Sequence, residues 1–144
     1  MRFRRGLLWL GWIFYVASFF LTAVGPSDSS RPILGYHCAY ATLLFSFQQA
    51  TLWMRGTPSI SNPLDYISYI VSGWINPVFL IAVVVTWSNR SRRFAQAAAI
   101  VILLMMPTCW IVFYNHNLYP REGYVAWVAG MLTVLWSRSE FSAK

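Results

Sequence analysis

Three arginines lie within four positions of one seven-residue stretch, Trp87-Ser88-Asn89-Arg90-Ser91-Arg92-Arg93. Long uncharged apolar runs flank this stretch on both sides. Lys and Arg concentrate in the cytoplasmic loops of membrane proteins, so a short basic turn between two apolar runs indicates two spanning helices joined on the cytoplasmic side. The position of this turn sets the direction in which every other segment runs.

The overall composition is that of a membrane protein. Of the 144 residues, 58% are hydrophobic and only 10% are charged, whereas a typical soluble domain carries about 25% charged residues. All fifteen Asp, Glu, Lys and Arg residues lie outside five uncharged blocks of 22, 23, 24, 27 and 15 residues. A spanning helix needs about 20 apolar residues, and lipid cannot satisfy an open strand edge. We therefore predict an all-α polytopic membrane bundle in one domain, with apolar segments at about 7–24, 33–54, 66–87, 94–115 and 123–137.

Charge counting indicates how many of the five segments cross. The basic start of the chain places the amino terminus in the cytoplasm. If all five cross, five basic residues lie inside and six outside; if segment 33–54 does not cross, eight lie inside and three outside. If segment 66–87 is the one that does not cross, nine basic residues lie inside and two outside, so charge alone does not decide between the two segments. Hydrophobicity does, because the second half of 66–87 is the more apolar, whereas 33–54 contains one histidine and two glutamines. We predict four transmembrane helices with both termini cytoplasmic and 33–54 as a re-entrant or interfacial segment; five transmembrane helices is the alternative.

The net charge of +7 has a simple explanation in this topology. Basic residues on the cytoplasmic side contact anionic headgroups, and we expect Arg90, Arg92 and Arg93 to do so. No known nucleic-acid-binding motif or basic aromatic surface is present, so nucleic acid is not an expected partner.

Five short motifs are similar to those of a known type of protein: Ser18-Phe-Phe-Leu-Thr22, Gly35-Tyr36, Asn76-Pro77, the basic turn Arg90–Arg93, and Gly123-Tyr-Val-Ala-Trp127. The chain resembles small, uncharacterised bacterial polytopic inner-membrane proteins. Thr22 stands where that type has proline, and Tyr36 where it has tryptophan. The resemblance implies a location in the bacterial inner (plasma) membrane and the same topology, and it assigns no activity and no site residues.

The candidate for a metal or haem site is His37-Cys38 together with Cys109 and His116. Two histidines can ligate haem, and a His/Cys set can bind zinc. However, Cys109 and His116 are seven residues apart, about 10 Å along a helix, and no ligand pair has helical spacing. The simpler interpretation is two histidines at the membrane interface and two cysteines that pack as small apolar groups. We predict no metal or cofactor site, and keep a haem- or metal-carrying subunit using His37 and His116 as the alternative function.

Two further constellations involve polar residues at helix breaks and in loops. Asn76-Pro77 implies a break or kink in its helix, because proline removes a helical hydrogen bond, and a broken helix can coordinate a ligand through its carbonyls. A small channel or transporter around this pair is the second alternative. Asp65, Glu122 and His116 fall on the outer side in the four-helix topology, where they could meet, but their spacing does not require it.

The leading function is non-enzymatic: an accessory or structural subunit of an inner-membrane assembly or a homo-oligomer. No Asp, Glu, Lys or Arg lies within the five apolar segments, so buried catalytic carboxylates are not expected. Small residues four apart, at Ala95 and Ala99 and at Ala126 and Gly130, predict faces on which membrane helices approach closely.

Overall fold

Five helices and three short strands make up the chain in a computed structural model that describes residues 2–26, 32–57, 62–89 and 92–141. Their order is α1 (Arg2–Ser18), β1 (Thr22–Gly25), β2 (Ile33–Leu34), α2 (Gly35–Met54), α3 (Pro63–Asn89), α4 (Arg92–Asn115), β3 (Tyr119–Pro120) and α5 (Glu122–Phe141). The predicted helical bundle is confirmed at the level of fold class.

Two helices are long and apolar enough to cross a membrane among the described residues, Pro63–Val85 in α3 and Gln96–Asn115 in α4. Only 39% and 33% of these windows is buried inside the protein. The core helix of a soluble protein is mostly buried, whereas most of each of these helices faces outward. This is the surface that a lipid-facing helix presents.

The first helix is shorter than predicted. We expected segment 7–24 to form one helix, but α1 ends at Ser18 and Thr22–Gly25 forms strand β1. The last turn of α1 is tightened, because the Phe19 and Phe20 N–H groups donate to carbonyls three residues back, those of Val16 at 3.2 Å and Ala17 at 2.9 Å. The β-branched residues Thr22 and Val24 then favour an extended backbone. The uncharged run continues to Ser27, so charge pattern alone did not locate this boundary.

A three-stranded antiparallel sheet of order β2-β1-β3 joins the helices at one end of the bundle. Its central residue Val24 is fully buried. The first free N–H groups of α2 are satisfied there, because Gly35 donates to the Leu21 carbonyl at 2.9 Å and Tyr36 donates to the Phe19 carbonyl at 3.0 Å. The sheet, which the sequence did not predict, thus satisfies backbone groups that helix ends leave unpaired. It holds the end of α1 and the starts of α2 and α5 together.

Helices α1 and α5 pack backbone against backbone. A Cβ atom added at Gly130 would lie 2.5 Å from the Tyr15 nitrogen, and one added at Gly11 would lie 2.9 Å from the Val134 nitrogen. Only glycine permits this approach at both positions. The predicted small-residue face on the last segment is therefore confirmed at Gly130, and its partner lies within the same chain. Ala99 is partly buried against the core.

Helix α2 packs on the first turns of α3. Gly73 lies against the Thr42 carbonyl, where an added Cβ would come within 2.6 Å. The Phe45 and Tyr69 rings are 5.0 Å apart, and the Tyr66 hydroxyl donates to a carbonyl farther along α2. These contacts run antiparallel along 66–73, in the amino-terminal half of α3.

Candidate functional site

The most distinctive polar group of the bundle is the Asn76 side chain, which lies near the middle of α3. Its Oδ1 atom accepts two hydrogen bonds, from the Tyr15 hydroxyl at 3.1 Å and from the Trp127 Nε1–H at 2.8 Å. The donors come from α1 and α5, so one amide oxygen joins three helices. These two bonds fix the orientation of the Asn76 amide. The hydroxyl of Tyr15 and the indole N–H of Trp127 both donate, so the amide oxygen must face them. The Nδ2 group therefore faces away from these two donors.

The helix passes through Pro77 without interruption, since α3 extends from Pro63 to Asn89. Of the break or kink predicted at Asn76-Pro77, a break is therefore absent, so no unwound segment exposes carbonyl ligands there; a kink stays a prediction. Proline cannot donate the hydrogen bond that the Gly73 carbonyl would otherwise receive. The missing hydrogen bond lies about one turn before Asn76. The contacts of Gly73 with α2 stabilise the backbone at this position.

A cavity borders Asn76 and is lined by residues of all five helices and of β1. The volume that the centre of a water molecule can occupy is about 60 Å³, and the cavity is partly open to the surface. Its lining is mainly apolar and includes the rings of Phe113, Tyr124 and Trp127. Asn76 supplies the only amide side chain of this lining.

Both cysteines of the chain line this cavity, Cys38 from α2 and Cys109 from α4. Both are free thiols; Cys109 is buried and Cys38 is partly buried. Together with Tyr124 they lie near enough to interact electrostatically. The simpler interpretation of the sequence took the two cysteines as small apolar groups, and the fold brings both to one cavity.

The two histidines lie outside this cavity and have different neighbours. His37 is exposed, and its ring centroid lies 4.0 Å from that of Tyr36 with the two rings tilted by 44°. His116 is exposed after α4, and its Nε2 atom is 2.8 Å from the Tyr69 hydroxyl. Within the described ranges, no group of three or more His, Cys, Asp or Glu residues is arranged to hold a metal ion.

Of Asp65, Glu122 and His116, which the sequence left open as a possible outer cluster, two lie beside a common residue. Asp65 lies one turn before Tyr69 and close enough to interact with it electrostatically, so Asp65 and His116 are neighbours of the same tyrosine. Glu122 is exposed in the first turn of α5. A shared outer site of three groups is not assembled in the described part of the chain.

The basic turn falls partly outside the described residues. Arg90 is not among them, Arg92 begins α4, and Arg93 is exposed one residue later. An exposed guanidinium beside an apolar helix suits an anionic headgroup, and the predicted lipid contact stays a prediction.

Comparisons of the chain with protein-family models, with curated proteins and with solved structures found no match. The resemblance to small bacterial inner-membrane proteins therefore rests on the five short motifs alone.

Sequence reasoning identified Asn76 but not its partners. An amide within an apolar segment needs partners, because lipid offers none, and Tyr and Trp carry suitable donors. The chain has eight tyrosines and eight tryptophans, so the sequence could not select Tyr15 and Trp127 from them. The spacing that brings these two residues together depends on the close α1–α5 packing.

Proposed function

We propose that this chain is a non-enzymatic protein of the bacterial inner membrane, with four crossings and both termini cytoplasmic, that serves as a subunit of a larger membrane assembly or homo-oligomer. Helices α1, α3, α4 and α5 cross in this arrangement. Helix α2 stays on the outer side.

Helix α2 connects the sheet to the first turns of α3. Its start at Gly35 follows strand β2 directly. Its second half packs on the first two turns of α3, through Tyr66 and Tyr69. Tyr69 in turn bonds His116, three residues before strand β3. The start of α2 therefore lies at the sheet and its second half lies beside the first turns of α3, and the choice of four crossings rests on the charge distribution.

The charges agree with this topology. With α2 outside, eight basic residues lie on the cytoplasmic side and three on the outer side, as the positive-inside tendency requires. α2 also carries one histidine and two glutamines and buries two polar residues, Ser46 and Gln49.

The observation that carries the assembly role is an aromatic ridge on α2. The ridge consists of Tyr36, Tyr40, Leu44 and Phe47, which share one face at intervals of four, four and three residues. Their exposed fractions are 45%, 67%, 46% and 51%. Aromatic side chains with little rotamer freedom are enriched in protein interfaces. A helix that does not cross the membrane and carries such a ridge is suited to contact another subunit.

Topology is tested first, with two reporters. A green fluorescent protein fused to the carboxyl terminus folds and fluoresces in the cytoplasm but not after export. A Thr57→Cys variant, in a chain whose two native cysteines are replaced by serine, is treated with a membrane-impermeant maleimide on intact spheroplasts. Four crossings predict fluorescence and external labelling at position 57, and five crossings predict neither.

Assembly is tested by gentle purification and native mass spectrometry. We expect companions of fixed stoichiometry, or a defined homo-oligomer, that Tyr40→Ala together with Phe47→Ala releases. Tyr114→Ala is the matched control, because Tyr114 is an exposed tyrosine on α4 with an exposed fraction of 84%. A wild-type protein that purifies as a monomer without companions would contradict the assembly role.

A further inference from the structure

We propose that the Asn76 cavity binds the acyl carbonyl group of a neutral lipid-like molecule, with the Asn76 Nδ2–H group donating to the carbonyl oxygen. This binding does not depend on the assembly role proposed above. It uses the inward-facing side of α2, whereas the ridge is on the exposed side.

The first argument is the state of the Asn76 amide. Tyr15 and Trp127 both donate to Oδ1, which leaves the two N–H bonds of Nδ2 to be satisfied. No protein acceptor for Nδ2 is found among the described residues. An amide donor without an acceptor in apolar surroundings is costly, and Asn76 lines the cavity. A hydrogen-bond acceptor inside the cavity removes this cost.

The second argument is the character of the other polar groups. Three hydroxyl groups that line the cavity already donate to backbone carbonyls of their own helices: Ser18 to Tyr15, Thr42 to Cys38, and Ser72 to Tyr69. The lining provides no Asp, Glu, Lys or Arg side chain. A charged ligand would therefore be desolvated without a counter-charge, and a neutral molecule with one acceptor fits.

The third argument is size. A cavity of about 150 Å³ holds one benzene ring, whereas this cavity measures about 60 Å³ and is partly open to the surface. A planar ring such as a quinone head group would therefore extend beyond the enclosed space. A carbonyl group on a linear chain fits within it, with the remainder of the molecule leaving through the open side. The shared chemistry is an acyl ester, whose source is either a glycerolipid or the acyl group of a lipid-modified protein.

The experiment compares two probes that differ only in the carbonyl. Monoolein carries an acyl ester, and 1-O-oleylglycerol replaces it with an ether. The purified full-length chain is placed in nanodiscs of diether phosphatidylglycerol, so that the disc lipids themselves contain no carbonyl. Because both cysteines line the cavity, the rate of their modification by N-ethylmaleimide, followed by intact mass spectrometry, reports occupancy.

We expect monoolein to occupy the wild-type cavity about fivefold better than the ether, the factor that one neutral hydrogen bond provides. Asn76→Leu is expected to abolish this preference. Equal protection by the two probes in the wild type, no protection by either, or stronger protection by decylubiquinone than by monoolein would each overturn the proposal.

Two additions keep the test decisive. If the thiols do not react even without a probe, the infrared stretch of ¹³C-carbonyl monoolein replaces the thiol readout: a downshifted bound band is expected in the wild type, and its absence refutes the binding. If Asn76→Leu does not fold, Ala39→Phe fills the cavity without touching the Asn76 bonds and must remove the bound signal.

Glycerolipid extracted from freshly purified protein identifies a membrane-lipid source, whereas binding of monoolein with no retained lipid identifies an acylated protein.

Discussion

Replacement of Gly130 by alanine is the sharpest test of the α1–α5 contact. The new Cβ would lie 2.5 Å from the Tyr15 nitrogen and 2.9 Å from the Gly11 oxygen. Ordinary van der Waals contact begins at 3.4 Å, so the two helices must separate by about 0.9 Å at this point. The atoms it meets are backbone, which cannot rotate away as a side chain can.

The expected loss of unfolding free energy follows from this displacement. Overpacking of a well-packed interface costs about 1–3 kcal/mol, and a gap of 0.5–1 Å forfeits roughly a quarter to a half of the dispersion attraction across it. The same shift acts on the cavity, because Tyr15 donates to Asn76 at 3.1 Å and an increase of this size breaks that bond. We therefore expect lower stability together with faster modification of Cys109.

The assay is unfolding by sodium dodecyl sulfate from mild detergent micelles, followed by circular dichroism. Gly6→Ala is the matched control, because Gly6 is on α1 as well and an added Cβ there meets no atom within 4 Å. Alanine at Gly6 is expected to be neutral or stabilising by up to about 1 kcal/mol from helix propensity. If Gly130→Ala is as stable as Gly6→Ala, the inferred backbone contact is wrong.

Three further substitutions test other contacts, each by the same unfolding assay. Asn76→Leu leaves two donors without their shared acceptor and is expected to cost about 1–3 kcal/mol; an unchanged stability would show that these bonds do not form. Gly73→Ala places a Cβ within 2.6 Å of the Thr42 carbonyl, so we expect about 1–3 kcal/mol of destabilisation and faster proteolysis of α2; resistance equal to that of the wild type would count against the α2–α3 contact. Tyr69→Phe removes the bond to exposed His116 and is expected to cost less than about 1 kcal/mol; a larger loss would indicate that this bond is buried.

The helices were predictable because their determinants lie within each segment. Charged residues are excluded from long apolar runs for a reason that requires no knowledge of the fold, namely the cost of desolvation. The predicted start of the second helix and the end of the fourth at Asn115 differ from the structure by two residues or fewer. The predicted helix ends that depend on tertiary contacts were less accurate. α1 ends six residues before the predicted position because Thr22–Gly25 pairs with two other strands.

The candidate site was predictable only in its separate parts. Asn76, Cys38 and Cys109 each attracted attention, but as members of different hypotheses, a broken helix for the first and a His/Cys ligand set for the other two. Their convergence is set by how α2, α3 and α4 pack, and this packing depends on contacts such as that of Gly73 with Thr42. The spacing of apolar residues along each helix does not show which helices pack against each other. Gly11 was overlooked for the same reason, because it has no small residue four positions away on α1.

The contact between α1 and α5 affects both the stability of the protein and the hydrogen bonds at the cavity. Gly130 lets the backbone of Tyr15 approach α5, and this approach brings the Tyr15 hydroxyl to the same amide oxygen that Trp127 of α5 reaches. With its oxygen held from one side, the Asn76 amide presents Nδ2 on the other. An amide that made no such bonds could rotate and satisfy itself in either direction. The packing of α1 against α5 therefore fixes the orientation of the Asn76 amide on which the proposed carbonyl binding depends.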